Sequence, residues 1–307
     1  MTVDPILALQ SLGYTEREAS FLYLVGVHSG YFLRRQFNYF TDRQKGYLAH
    51  HFIEKARIAG HIEVIDYGRG RFVYHLIAKP IYRLLGNAES QNRRRKGDGT
   101  IRTRLMSLDY VLENNDDYHL ETLAAKVHFF TKVRNIPATY LAGEAGRVSE
   151  FVETFPVALD DRDHPASSLV RFAFLDEGLL STAKFTRYLE ELTPLLCAVR
   201  VFEVIYVATS EHNFSEAEAI FNRRFVRPLQ QRQQSFDGFR TTSPGQRVAT
   251  SPGIHPSFVT LLFHYRYPKL LRSEAHGSAY ESGGESGQTG SAHYKQMTSK
   301  DSQTTGG

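Results

Sequence analysis

His61-Ile62-Glu63-Val64-Ile65-Asp66-Tyr67 alternates apolar and polar residues, Gly68-Arg69-Gly70 interrupts, and Arg71-Phe72-Val73-Tyr74-His75-Leu76-Ile77 alternates back. Period-two alternation on both sides of a short glycine-containing loop predicts a β-hairpin. Upstream of it, Thr41 or Asp42 can cap a helix from about Arg43 to Ala59, with Leu48, Phe52, Ile53 and Ala56 in one arc and Gly60 at its end. The opposite arc carries Arg43, Tyr47, His50 and Glu54, with Gln44 and His51 at its edge. A shorter helix fits Phe32 to Phe40. Before that, Thr15-Glu16-Arg17-Glu18 is a capping box that opens a helix reaching about His28, closed by Gly30. Residues 4–14 suit a short lead-in helix stopped by Gly13.

Three helices followed by a hairpin are the layout of a winged helix-turn-helix. Binding DNA with such a module requires outward residues on the third helix that reach base edges, and cations set to meet phosphates. The candidates are Arg43, Gln44, Tyr47, His50 and His51 on the third helix and Arg69 and Arg71 on the hairpin. Arg34, Arg35 and Lys45 join them around the second helix and the following turn. Gln pairs naturally with adenine and Arg with guanine. Glu54 on the same face repels phosphate unless it reads cytosine or pairs with Lys55 or Arg57. Winged helices also serve as protein-contact modules, which keeps an interaction adaptor open as an alternative.

Charge favours a polyanion partner. Residues 1–105 carry 17 Lys/Arg against 9 Asp/Glu, which leaves 20 against 24 for the remainder of this 307-residue chain. A basic third on a mildly acidic body points to nucleic acid bound by that third. At 41% hydrophobic and 23% charged, the composition is that of a globular protein. No run approaches the roughly 20 apolar residues of a membrane helix. Met1-Thr2-Val3-Asp4-Pro5 lacks the basic and apolar regions of a signal peptide. One cysteine, Cys197, excludes an intramolecular disulfide, and its apolar neighbours read as a buried structural thiol. These features place the protein in the cytosol, of a prokaryote.

Beyond the hairpin, Pro80 begins a short helix, Ile81 to Leu85. Asn87 to Gly99 reads as a flexible linker. Its run Arg93-Arg94-Arg95-Lys96 either adds phosphate contacts or is a solvated arm. Thr100 to Glu113 is an amphipathic helix, expected to connect or buttress two domains and a possible dimer helix. Leu120 to Val133 is another helix, and Phe151-Val152 and Phe155 to Leu159 read as short strands. Leu169 to Leu175, Ser181 to Cys197, Phe202 to Ala208 and Phe214 to Phe225 then alternate strand and helix, a βαβ unit with parallel strands. Phe258 to Tyr267 is an apolar island, one strand or a short helix at the domain edge. Ser273 to Gly307 has the composition of a disordered tail. The expected organisation is α+β. It comprises a winged helix over 1–87, a basic linker and connector helix over 88–118, an α/β domain over 119–228, and an irregular, largely disordered tail over 229–307.

A second candidate site follows the strand ending at Leu175. Asp176 and Glu177 would lie at the C-terminal edge of a parallel sheet, where α/β folds place ligands. With Asp160 or Asp161 they could hold Mg²⁺ and activate water on a phosphodiester, the arrangement of a restriction-endonuclease-like fold. The lysine that this chemistry uses two residues after the second acid is absent, and only Lys184 on the next helix could replace it. The plainer reading is a turn. His50 and His51 point about 100° apart on a helix and cannot share an ion. No HExxH, CxxC, GxxxxGK[ST] or strand-linked GxGxxG motif is present. No cofactor is therefore expected, with Mg²⁺ entering only under the nuclease alternative.

The stretches Leu12 to Ala19, Ser29 to Gln36, Arg104 to Leu112 and Phe172 to Gly178 together resemble replication-relaxation proteins of bacterial plasmids and mobile elements. The resemblance covers about residues 10–225. It implies a winged helix joined to a nuclease-like α/β domain, and a DNA-binding regulator or accessory replication or relaxation factor.

Overall fold

The computed structural model describes residues 4–42, 47–143, 146–178, 181–226, 258–265 and 294–297. The protein is α+β, with helices and two sheets, and it divides into two compact units between Asp116 and Asp117. No helix among the described residues is long and apolar enough to cross a membrane.

The first unit opens with α1 (Pro5–Gln10) and α2 (Glu16–His28). The Thr15 capping box is complete: the Thr15 hydroxyl accepts from Glu18 N and the Glu18 carboxylate accepts from Thr15 N. Two free N–H groups are thereby satisfied, worth about 1 kcal/mol for such a cap. The chain then forms β1 (Tyr31–Phe32), α3 (Arg34–Phe40), α4 (Tyr47–Ile58), β2 (Ile62–Asp66), β3 (Phe72–Leu76) and α5 (Lys79–Leu84). The second helix, expected from Phe32, starts only at Arg34, and Tyr31 and Phe32 form a strand. They pair antiparallel with Tyr74 and His75, giving a three-stranded sheet of order β1-β3-β2. Two residues are too few to show a period, so β1 could not be seen by alternation.

Both faces of this sheet are covered. Phe32, Ile62, Tyr74 and Leu76 join Phe21, Phe37 and Phe52 in the core beneath α2 to α4. On the other face Tyr31, Leu33, Ile65 and Val73 pack against Ile101 and Leu105 of α6 (Asp98–Glu113). The expected connector helix is thus part of the first unit. Residues 105–112 are all buried, which leaves that segment no exposed stripe for a dimer partner.

Asp109 fixes α6 in place. Its carboxylate is 3% exposed and accepts a fork from Arg35, Nη1 to Oδ1 at 2.8 Å and Nη2 to Oδ2 at 2.5 Å. Gln36 Nε2 also donates to Asp109 Oδ1 at 2.8 Å and to Leu105 O at 2.9 Å, while its Oε1 accepts from Leu33 N. Two adjacent α3 side chains therefore clasp one buried carboxylate, the strong bidentate class of ion pair.

The second unit holds a six-stranded sheet of order β4-β5-β6-β7-β8-β9. Its strands are β4 (Tyr118–His119), β5 (Val157–Leu159), β6 (Val170–Asp176), β7 (Val201–Ala208), β8 (Phe258–Tyr265) and β9 (Tyr294–Met297). Strands β6 and β7 are parallel, as the βαβ spacing predicts, β8 joins parallel to β7, and the outer pairings are antiparallel. Helix α7 (Leu123–His128) runs into a π-helical turn, Phe129–Val133. Phe151 and Val152, expected in a strand, lie in helix α8 (Glu150–Thr154), opened by the Ser149 side chain. The buried Lys126 ammonium donates to the carbonyls of Val152 at 2.8 Å and Phe155 at 2.7 Å, capping that helix end. Helices α9 (Ala183–Val199) and α10 (Phe214–Phe221) complete the unit. The apolar island at Phe258 forms a strand inside the sheet, and β9 falls within the stretch read as a disordered tail. The rest of that stretch lies outside the described residues. Cys197 is half-buried, and burial pushes its thiol pKa up.

Replacing Asp109 by Ala strands the Arg35 and Gln36 donors and loosens α6 from α3. Removing one partner of a fully buried pair costs about 3–5 kcal/mol, and Arg35 can turn partly to water, so we expect about 2–3 kcal/mol. Urea unfolding measures it; a loss below about 1 kcal/mol would show that Asp109 does not hold the helix.

Candidate nucleic-acid interface

Helix α4 begins at Tyr47, whose side chain is 73% exposed. Its ring centroid lies 5.7 Å from that of His50 and 5.9 Å from that of His51, and both histidines are exposed. Positions i, i+3 and i+4 share a helix face, so the three rings form one patch. The opposite side of α4 is core: Ala49, Phe52, Ile53 and Ala56 are buried. One turn further along the outer face, Glu54 pairs with Arg57 at 2.7 Å, one of the partners expected for it. Lys55 binds Glu18 at 2.5 Å and the Gly13 carbonyl, tying α4 to the start of α2.

The hairpin supplies the second edge. Gly68, Arg69 and Gly70 all have positive φ, 76°, 54° and 72°, so the tip turns through three left-handed residues. Two of these are glycines, which adopt that conformation without a Cβ clash. Arg69 is exposed at the tip. Arg71 folds back, its guanidinium donating to the carbonyls of Gly68 and Tyr67. Asp66 Oδ1 accepts from Gly68 N at 2.6 Å and stiffens the same turn.

The other predicted residues divide. Arg34 is exposed at the first position of α3. Arg35 is bound by the buried Asp109 carboxylate, with its side chain 35% exposed. Arg43, Gln44 and Lys45 lie outside the described residues. Sequence reasoning missed Val64 and Phe72, 37% and 40% exposed, on the sheet face that carries Tyr74. Their place in alternating strands reads as core-facing, but the helices cover that face only from Tyr74 inward.

The run Arg93 to Lys96, expected as a flexible linker, is anchored to the first unit. Asn92 Nδ2 donates to Gly26 O at 3.1 Å, and its own carbonyl sits 2.9 Å from His75 Nε2. The Tyr31 hydroxyl donates to Arg94 O and accepts from Lys96 N. Gly30 permits this approach, because a Cβ there would lie 2.6 Å from Asn92 O. Arg95 pairs with Glu63 at 3.2 Å. His75 is 1% exposed and stacks on Tyr31 with centroids 4.2 Å apart. Facing a carbonyl, Nε2 carries the hydrogen, and Nδ1 is left 3.9 Å from Glu63 Oε2.

Asp160, Asp161, Asp176 and Glu177 do not assemble. Asp160 adjoins the start of β6, its Oδ1 accepting from Leu169 N at 2.9 Å and Ser168 Oγ at 2.9 Å. Asp176 ends the same strand, seven residues away, about 23 Å at ~3.3 Å per residue. Asp161 follows Asp160 and bonds His164 at 2.8 Å within its own turn. Metal–oxygen bonds of ~2 Å cannot bridge such a gap, so the shared Mg²⁺ site expected of Asp160 or Asp161 with Asp176 and Glu177 is not formed. Asp176 is buried and accepts from Tyr206 Oη at 2.7 Å, Asn213 Nδ2 at 3.1 Å and Gly178 N at 3.0 Å. Burial, then this carboxylate, pushes the Tyr206 phenol pKa up, so the phenol stays protonated as a donor. Glu177 is bound by Lys184 at 3.0 Å. These acids close turns and tie β6 to β7.

Burial pushes the His75 pKa down, with Asn92 O and Glu63 acting upward and Arg95 downward. Burial lowers His61 as well. A depressed folded-state pKa means that the unfolded chain binds the proton first as pH falls. Their contribution to stability is therefore present above the ordinary histidine value of about 6.5 and lost below it. NMR titration should place both imidazoles below 6.5; a His75 value above 6.5 would contradict the anchoring described. Comparison with protein-family models, curated proteins and solved structures finds no match for this chain.

Proposed function

We propose that Thr15 to Leu76 is a winged helix-turn-helix and that the chain is a DNA-binding protein. The observation that carries this reading is the order α2, β1, α3, α4, β2, β3, with β1 closing antiparallel on β3. That order leaves one face of α4 and the hairpin tip exposed on the basic third of the chain. Tyr47, His50 and His51 are helix residues described at this surface, and Arg34 and Arg69 are among its exposed cations. The resemblance to replication-relaxation proteins extends the proposal to a regulator or accessory replication factor of a mobile element.

Phosphate contacts release counterions, so affinity should fall with salt by about 0.9 log unit per log unit of salt for each phosphate neutralised on duplex DNA. Fluorescence anisotropy across a salt series should give a negative slope for the full chain. Changing Arg34 and Arg69 together to Ala should weaken binding at low salt at least tenfold and flatten the slope by roughly one to two. A flat salt response in the unaltered protein would sink the DNA reading and favour protein contact.

A further inference from the structure

Several of the described cations around α4 are engaged by the protein itself. Arg35 is drawn to Asp109, Lys55 to Glu18, Arg57 to Glu54 and Arg71 to its own turn. The aromatic side chains go the other way. Tyr47, His50 and His51 stand exposed, the Tyr47 ring in contact with each histidine, and Phe72 and Val64 are partly exposed on the hairpin. Tyr74, the buried residue on the same sheet face as Phe72 and Val64, joins the core of α2, α3 and α4. The exposed hairpin residues therefore border the α3 and α4 side of the unit.

Duplex DNA offers this surface base edges and a dense double row of phosphates, about one negative charge per 1.7 Å of axis. Its base faces are already stacked on one another. A single strand carries half that charge density and presents unpaired bases, whose π-faces stack on tyrosine, histidine and phenylalanine. Its backbone can pass along the exposed cations Arg34 and Arg69.

Resting on the nucleic-acid reading above, we propose that Tyr47, His50 and His51 form a stacking platform for unpaired bases, so that the ligand of this face is single-stranded nucleic acid. The test is anisotropy of the full chain with labelled dT20, the dT20·dA20 duplex and U20 at one salt concentration. Single strands should bind at least tenfold tighter than the duplex. Tyr47→Ala should weaken single-strand binding roughly 5- to 100-fold, the range for loss of one base–aromatic stack. Tyr47→Phe should restore the single-strand affinity. Because Tyr47 is 73% exposed, its loss should leave the thermal midpoint unchanged, which separates a binding defect from misfolding. Tighter binding of U20 than of dT20 would support the platform and identify RNA as the strand. Duplex binding equal to or tighter than single-strand binding, with Tyr47→Ala silent, overturns this inference and leaves the DNA reading standing. Absence of binding to all three overturns both.

Discussion

One buried carboxylate constrains the first unit. Asp109 receives Arg35 and Gln36 from consecutive positions of α3 and so presses α6 onto the sheet. Without that pressure the face carrying Tyr31, Ile65 and Val73 would meet water, and a three-stranded sheet with one open apolar face is marginal. With it, both faces of the hairpin base are covered and only the Gly68 to Gly70 tip projects. At the other end of α6, Tyr67 donates to Asp98. Burial and the Asp98 carboxylate push the Tyr67 phenol up to about 12, so this donor holds its proton through the physiological range.

Much of this was legible in sequence because local signals agreed with the tertiary result. The capping box at Thr15, the alternation on both sides of Gly68-Arg69-Gly70 and the strand–helix–strand spacing after Leu169 each became the expected element. The failures share a cause: the deciding partner was distant in sequence. Tyr31 and Phe32 became a strand because β3 was beside them, more than forty residues on. Asn87 to Gly99 looked like a linker because its composition is polar, whereas a few well-placed side chains, Asn92, Tyr31 and His75, hold it. Arg35 and Arg34 are indistinguishable in sequence, and only the position of Asp109, 74 residues later, separates the guanidinium bound by a buried carboxylate from its exposed neighbour. Phe151 and Val152 are β-prone, but the Ser149 cap and the Lys126 ammonium at the far end stabilise a helix turn instead.

The carboxylates of the second unit carry a related lesson. Asp160, Asp161, Asp176 and Glu177 are close in sequence to one strand, and that proximity suggested a shared ion. A strand separates its ends faster than a helix does, at ~3.3 Å per residue against ~1.5 Å. Seven residues along β6 were enough to place the two acid sets at opposite edges. Each set has local hydrogen-bond donors, which explains why acids sit there without any need for chemistry. The functional reading consequently concentrates on the exposed side of α4 and the hairpin tip, where cations and rings have outward geometry.

Amide hydrogen exchange of the full chain, with and without a saturating oligonucleotide, tests the central claim most directly, because it reports where ligand touches without assuming a residue. The account predicts new protection at the start of α4, over Tyr47 to His51, and at the hairpin tip, over Tyr67 to Arg71, with β6 and β7 unchanged. Protection confined to the strand ends around Asp160 or Asp176, with α4 and the hairpin unaffected, would contradict it.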